Sequence, residues 1–103
     1  GTVAAARKAL QRAGLTIDDI DIAEINEAFA VVALVCLREL GIAEERVNPN
    51  GGAVALGHPM GCTGVKVVTT LVHEMERRRA SFGLATVGVG MGQGAAIILE
   101  RPA

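Results

Sequence analysis

Aromatic side chains are nearly missing from this 103-residue chain, which has two phenylalanines, Phe29 and Phe82, and no tryptophan or tyrosine. Recognition by stacking on bases or sugar rings therefore has little to work with. An excess of either charge is missing too: ten Lys and Arg face eleven Asp and Glu, for a net charge of −1. That balance provides no electrostatic footprint for nucleic acid or for an anionic membrane. The run Arg77-Arg78-Arg79 falls in the last turn of a helical segment, where cations complement the macrodipole, and reads as that rather than as a basic patch. The only cysteines, Cys36 and Cys62, form no CxxC pair and no metal set with His58 and His73, which points to a reducing, cytoplasmic compartment. No apolar run approaches the ~18 residues of a membrane span, and no signal peptide is visible. Because the chain starts at Gly1 without a methionine, the missing signal carries little weight.

What is present is apolar and glycine-rich: half the residues are hydrophobic and thirteen are glycine. A chain of this length, residues 1–103, is one domain or a piece of one, and can bury roughly 60–70% of its unfolded surface. Residues 2–13 place Val3, Ala6, Leu10 and Ala13 on one helical face, and Gly14 suits a helix stop. The isoleucine-rich IDIAEIN, 20–26, reads as a strand. From Glu27 to Leu40 the pattern is helical and apolar on almost every side, which predicts neighbours on both sides of that helix. A second amphipathic helix is predicted from Thr63 to about Arg79, with Val67, Val68, Leu71, Val72 and Met75 as its apolar stripe. Lys66, Thr70, Glu74 and Arg77 lie off that stripe, and His73 projects opposite it as a solvated residue. FGLATVGV and AAIILE read as strands joined through GMGQG as a terminal hairpin. The class is α/β, a mixed sheet with helices covering it.

Between the two long helices lies NPNGGAVALGHPMGCTG, residues 48–64, with five glycines and two prolines. Glycine allows backbone angles and close approaches that a Cβ forbids, and proline fixes φ, so this loop is shaped to bring something close to its backbone. It is no Walker A loop, because the lysine after the final glycine is missing. GVGMGQGA imitates a dinucleotide fingerprint through Gly90, Gly92 and Ala95, but no helix follows and only eight residues remain. His58 sits in the loop where no apolar periodicity places it. It is either a structural histidine or a group that takes a proton from a nucleophile and bonds an oxyanion. Asn26, at the junction of strand and helix, is either an N-cap or an amide that holds a water or an oxyanion.

INEAFA at 25–30, the loop at 48–64 and GLATVGVGMGQGAAIILE at 83–100 together resemble, in order and over nearly the whole chain, the C-terminal half of the thiolases, the acyl-CoA C-acyltransferases. The GGA-x-ALGHP-x-G segment carries most of that specificity. NEAF is similar to the degradative and biosynthetic thiolases, and CTG after HPMG to the 3-ketoacyl-CoA thiolase branch. The resemblance implies an incomplete C-terminal half of the thiolase fold, since only three strands are legible where five are expected. It implies that His58 is base and oxyanion donor, that Asn26 holds the water completing that oxyanion hole, and that Ala28 and Phe29 line the acyl and pantetheine path. Gly90 matches the glycine whose N–H serves a second oxyanion hole. The implied ligand is an acyl-CoA or acetyl-CoA thioester as substrate, with no separate cofactor and no metal. The implied partners are an N-terminal thiolase half or subunit and further copies of the chain in a homo-oligomer.

Two departures stand against full activity. The nucleophilic cysteine of thiolases belongs to the N-terminal half, which is not here, so no acyl-enzyme can form on this chain alone. The family's C-x-G motif supplies a second cysteine as acid and base, and Gly88 occupies its place. Loss of such a group costs about 10²–10⁴ in rate, or about 3–5 kcal/mol. Cys62, four residues past His58, reads as packing rather than as a substitute. Three readings follow: the catalytic C-terminal segment of a thiolase; a non-catalytic thiolase-like module that binds acyl-CoA or a partner; and an α/β domain whose loop is only structural.

Overall fold

The computed structural model describes residues 1–102 and shows four helices and three strands in the order helix α1 (Thr2–Ala13), strand β1 (Ile22–Ile25), helix α2 (Ala30–Leu40), helix α3 (Ala53–Leu56), helix α4 (Thr63–Arg78), strand β2 (Phe82–Val89) and strand β3 (Gln93–Glu100). Short 3₁₀ turns at Ile17–Asp19 and Glu44–Arg46 carry the chain into and away from this frame. Gly14 and Gly41 close α1 and α2 in the left-handed conformation, as their positions in the sequence predict.

The sheet has the order β1-β2-β3, parallel between β1 and β2 and antiparallel between β2 and β3. Parallel neighbours need a long crossover, and α2, the glycine loop and α4 form it. Each face of the sheet buries its own apolar cluster. Ala6 and Leu10 of α1 and Cys36 and Leu40 of α2 meet Ala23, Ile25 and Leu84 on one face. Val67, Leu71 and Met75 of α4 meet Ile22 and Ala85 on the other. Alternation along the strands produces this division: Ile22 faces α4, while Ala23 and Ile25 face the cluster of α1 and α2.

The outer edge of β1 is closed by a side chain. Asn48 Oδ1 accepts from the Ile25 N–H and Asn48 Nδ2 donates to the Ile25 carbonyl, both at 2.8 Å, so one amide performs the bonding of a neighbouring strand. The preceding residue, Val47, pairs with Ala23 as an isolated parallel bridge. The free edge of the sheet is therefore that of β3.

Several expectations are corrected. The predicted strand 20–26 shortens to Ile22–Ile25, and the helix expected from Glu27 starts at Ala30 with Phe29 at its N-cap. Asn26 is not the cap: its backbone N–H continues the sheet by donating to the Thr86 carbonyl at 3.0 Å. Nor is α2 covered on both sides. It buries Ala33, Cys36 and Leu40 and leaves Val31, Leu34 and Val35 exposed, because α1 and the sheet reach only one of its faces. Glu74, placed off the stripe of α4, is 2% exposed and takes hydrogen bonds from Asn50 of the loop and from Arg77 and Arg78. The arginines thus have an acidic partner as well as the helix terminus. Cys62 is exposed, so packing does not account for it among the described residues. The short helix α3 inside the glycine loop was not expected.

Candidate functional site

Topology gathers the sequence-predicted residues at one rim of the sheet. Asn26 follows the C-terminal end of β1 and Gly88 lies near the C-terminal end of the parallel strand β2, with Ile25 opposite Thr86. The helix α4 leads into β2 with its C-terminus, so its N-terminus lies back at that same rim. Gly64 of its first turn lines an apolar cavity of ≈ 200 Å³ together with Thr86 and Val87. His58 stands five residues before Thr63, the first residue of that helix.

The loop that carries His58 is held from two sides. Glu27, just past β1, accepts from Asn48 Nδ2 at 3.0 Å and from the Val54 N–H at 3.1 Å, which fastens α3 to the strand end. The loop backbone at Gly52 passes so close to the Glu27 carboxylate that a Cβ there would collide with it. At Gly57 the chain leaves α3 with φ 103°, a conformation that side chains disfavour, and this turn delivers His58. From the other side, Lys66 Nζ of α4 donates to the Gly57 carbonyl at 2.7 Å.

His58 is exposed, and its Nδ1 lies 2.7 Å from the hydroxyl of Thr63, which is buried. That hydroxyl donates its one proton to the Pro59 carbonyl at 3.1 Å. It can therefore only accept from Nδ1–H, an arrangement that, in the neutral imidazole, leaves Nε2 as the basic nitrogen. A histidine so oriented can take a proton at Nε2 and, once protonated, donate to an oxygen that gains charge.

Asn26 presents the complementary feature. It is 3% exposed, and neither its Oδ1 nor its Nδ2 has a partner among the described residues. Buried amide groups are as a rule satisfied, so these atoms are a ready site for an ordered water. Two residues earlier, Glu24 is likewise 3% exposed, with Oε2 unpartnered. Burial pushes its pKa up to about 7; Lys66 opposes that shift, and Glu27 and Glu74 add to it. Glu74 is the opposite case: hydrogen bonds from Arg77 and then Asn50 hold its carboxyl down to about 2.

The remaining predicted residues lie on the surface. Ala28 and Phe29 are exposed between β1 and α2, with Phe29 73% exposed. Gly88 and Gly90 are exposed on the hairpin, and Gly90 opens the turn that ends at Gly92, while Gln93 and Gly94 belong to β3. A Cβ at Gly88 would meet only Thr2 Oγ1, at 3.4 Å. His73 is exposed on α4, as its periodicity predicts. Sequence alone assigns no role at this site to Glu24, Asn48, Thr63 or Lys66. A charged residue in an isoleucine-rich strand was the available signal for Glu24, and the hydroxyl five residues after His58 was the signal for Thr63.

Comparison with known proteins agrees with the motifs. The family described as thiolase, C-terminal domain, matches residues 1–101. The chain is 58% identical over 104 residues to the 3-ketoacyl-CoA thiolase of Aeromonas salmonicida (strain A449), covering 98% of this chain and 27% of that protein. It is 55% identical over 105 residues to the 3-ketoacyl-CoA thiolase of Vibrio cholerae serotype O1, covering 99% and 27%. Against the 3-ketoacyl-CoA thiolase of Shewanella loihica the identity is 55% over 104 residues, with 98% and 27% covered. The chain thus spans about a quarter of the length of these relatives. It belongs to the thiolase family, as a C-terminal domain.

Proposed function

We propose that this domain contributes the base and one oxyanion site of an acyl-CoA C-acyltransferase, acting on a nucleophilic cysteine carried outside these 103 residues. The observation that supports this most is the state of His58. Thr63 takes up Nδ1–H and leaves Nε2 free, on the same rim as the buried, unpartnered amide of Asn26. In this reading Nε2 takes the thiol proton, the thiolate attacks the thioester carbonyl, and the tetrahedral oxyanion is met by the protonated His58 and by a water on Asn26. Collapse expels CoA as thiolate, which recovers the proton from His58. Donors preorganised in this way are commonly worth about 10²–10³ in rate. Phe29 and Ala28, exposed beside this rim, are available to line the acyl and pantetheine path. The ligand is an acyl-CoA, with no separate cofactor, and the Gly90 N–H serves the second oxyanion.

Gly88 favours a narrower activity. Making or breaking the carbon–carbon bond needs a group beside the acetyl methyl that removes or returns a proton, and glycine can do neither. The test pairs the domain with a cysteine-bearing N-terminal thiolase half. Mass spectrometry should show acyl-enzyme from acyl-CoA, while condensation should lie about 10²–10⁴ below that of the Gly88→Cys variant. A Cβ at Gly88 meets only Thr2 Oγ1 at 3.4 Å, an ordinary contact, so the backbone there tolerates a side chain. Equal condensation by both proteins would assign the acid and base to another residue. Absence of any acyl-enzyme would instead favour the second reading that Gly88 supports, a thiolase-like module that binds acyl-CoA without reacting.

A further inference from the structure

Three buried polar atoms without protein partners lie close together in the sequence: Glu24 Oε2, Asn26 Oδ1 and Asn26 Nδ2. Glu24 and Asn26 are two apart on a chain that is still strand-bonded at Asn26, whose N–H meets Thr86. Side chains two apart share a face of the strand, with a backbone separation of about 6.6 Å. Ile22, in the same alternation, belongs to the cluster under α4, so both side chains share the face that α4 covers. Their polar atoms do not bond each other, yet both are enclosed. A single water, bonded at about 2.8 Å to each side, bridges a gap of that order and supplies donors and acceptors to both.

The charges around Glu24 offer no better partner. On α4, Lys66 gives its ammonium to the Gly57 carbonyl and Glu74 is already held by Arg77, Arg78 and Asn50. Glu27, beyond β1, is taken by Asn48 and Val54. The facing positions of β2, Ala85 and Val87, carry no ionisable group. We infer that Glu24 is a positioning residue of this site, whose carboxyl shares one buried water with the Asn26 amide and thereby fixes the water that the oxyanion reading places on Asn26. The inference rests on the function proposed above for that water. A carboxyl whose pKa lies near 7 gives the arrangement a titration to follow.

The experiment uses the complete polypeptide with asparagine side chains labelled, following the Asn26 Nδ2H₂ resonances across pH by NMR. In the parent protein they should shift as Glu24 titrates. In Glu24→Gln, which keeps shape and bonding but cannot titrate, that step should vanish while the resonances stay protected from exchange. In Glu24→Met the protection should fall, because the shared water loses one anchor. A titration step that persists unchanged in Glu24→Gln belongs to another group and overturns the inference, as does Met-variant protection equal to the parent's. Should Glu24→Met fail to fold, the Gln titration decides alone. Acyl-enzyme formation is measured on the same parent sample: its absence counts against the proposed function, whereas the Asn26 resonances report on Glu24 whatever that outcome.

Discussion

Glu24 and Glu74 are buried on the same side of the sheet, and their surroundings move them in opposite directions. Glu74, held at about 2 by Arg77, Asn50 and Arg78, binds fewer protons folded than unfolded between about 2 and its ordinary 4.5. Its contribution to stability is present above 4.5 and is lost as pH falls toward 2. Glu24, raised to about 7, binds more protons folded than unfolded between 4.5 and 7. Its contribution is present below 4.5 and is lost as pH rises through 7. Together these two carboxyls give a stability profile that peaks near 4.5. Denaturant melts across pH should show Glu24→Gln flattening the alkaline limb and Glu74→Gln flattening the acid limb, and a limb that survives its own variant would belong to another group. Thr63 allows a second measurement at this scale. Thr63→Val keeps the shape and removes the acceptor for Nδ1–H, so His58 loses its fixed tautomer. In the reconstituted enzyme acylation should fall about tenfold or more, within the range for an impaired general base, while thioester affinity stays near the parent value.

At the scale of elements, periodicity made most of the frame legible and long-range polar bonds hid the rest. The helices ending at Gly14 and Gly41 and the terminal hairpin follow from apolar spacing and glycine stops, which are local signals. The start of α2 was not legible, because what delays it to Ala30 is the pairing of Asn26 with Thr86, sixty residues away, and the capture of Glu27 by the loop. Glu74 was misjudged for the same reason: a helical wheel shows no Asn50 folding down on it. Asn48 is the extreme case, one amide that replaces a strand. Asn48→Ala should expose the Ile25 backbone groups and the Glu27 carboxylate at once, costing about 1–3 kcal/mol, read as a lower denaturant midpoint. Packing between α4 and the sheet is equally tight. A Cβ at Gly83 would lie 2.5 Å from Met75 Sδ and 2.9 Å from Leu71 Cδ1. Gly83→Ala should cost about 1–3 kcal/mol by overpacking, whereas Gly88→Ala, with its open surroundings, should leave the midpoint almost unchanged.

For the molecule as a whole, the unburied side of α2, the glycine loop and the first turn of α4 leave Phe29, Val31, Leu34, Val54, Met60 and Val65 exposed. Apolar exposure of this extent drives association, and the free edge of β3 adds an unpaired strand. The 103-residue chain by itself should sediment as oligomer or aggregate, and Leu34→Glu with Val31→Lys should shift it toward monomer; a sharp monomeric boundary for the parent would count against this. The same architecture imposes an order in time. The first helix packs on the sheet at its last strand: Thr86 Oγ1 reaches the Thr2 carbonyl across 84 residues, and the backbone at Gly94 runs against Gly1. During synthesis α1 leaves the ribosome well before the strand β3 on which it docks. Until Gln93–Glu100 emerges, α1, a twelve-residue helix of a length marginal in water, can meet only α2, β1 and β2 and lacks the β3 side of its docking surface. Docking of α1 is therefore completed only when β3 arrives, and a nascent chain stalled before Gln93 leaves the β3-facing side of α1 uncovered.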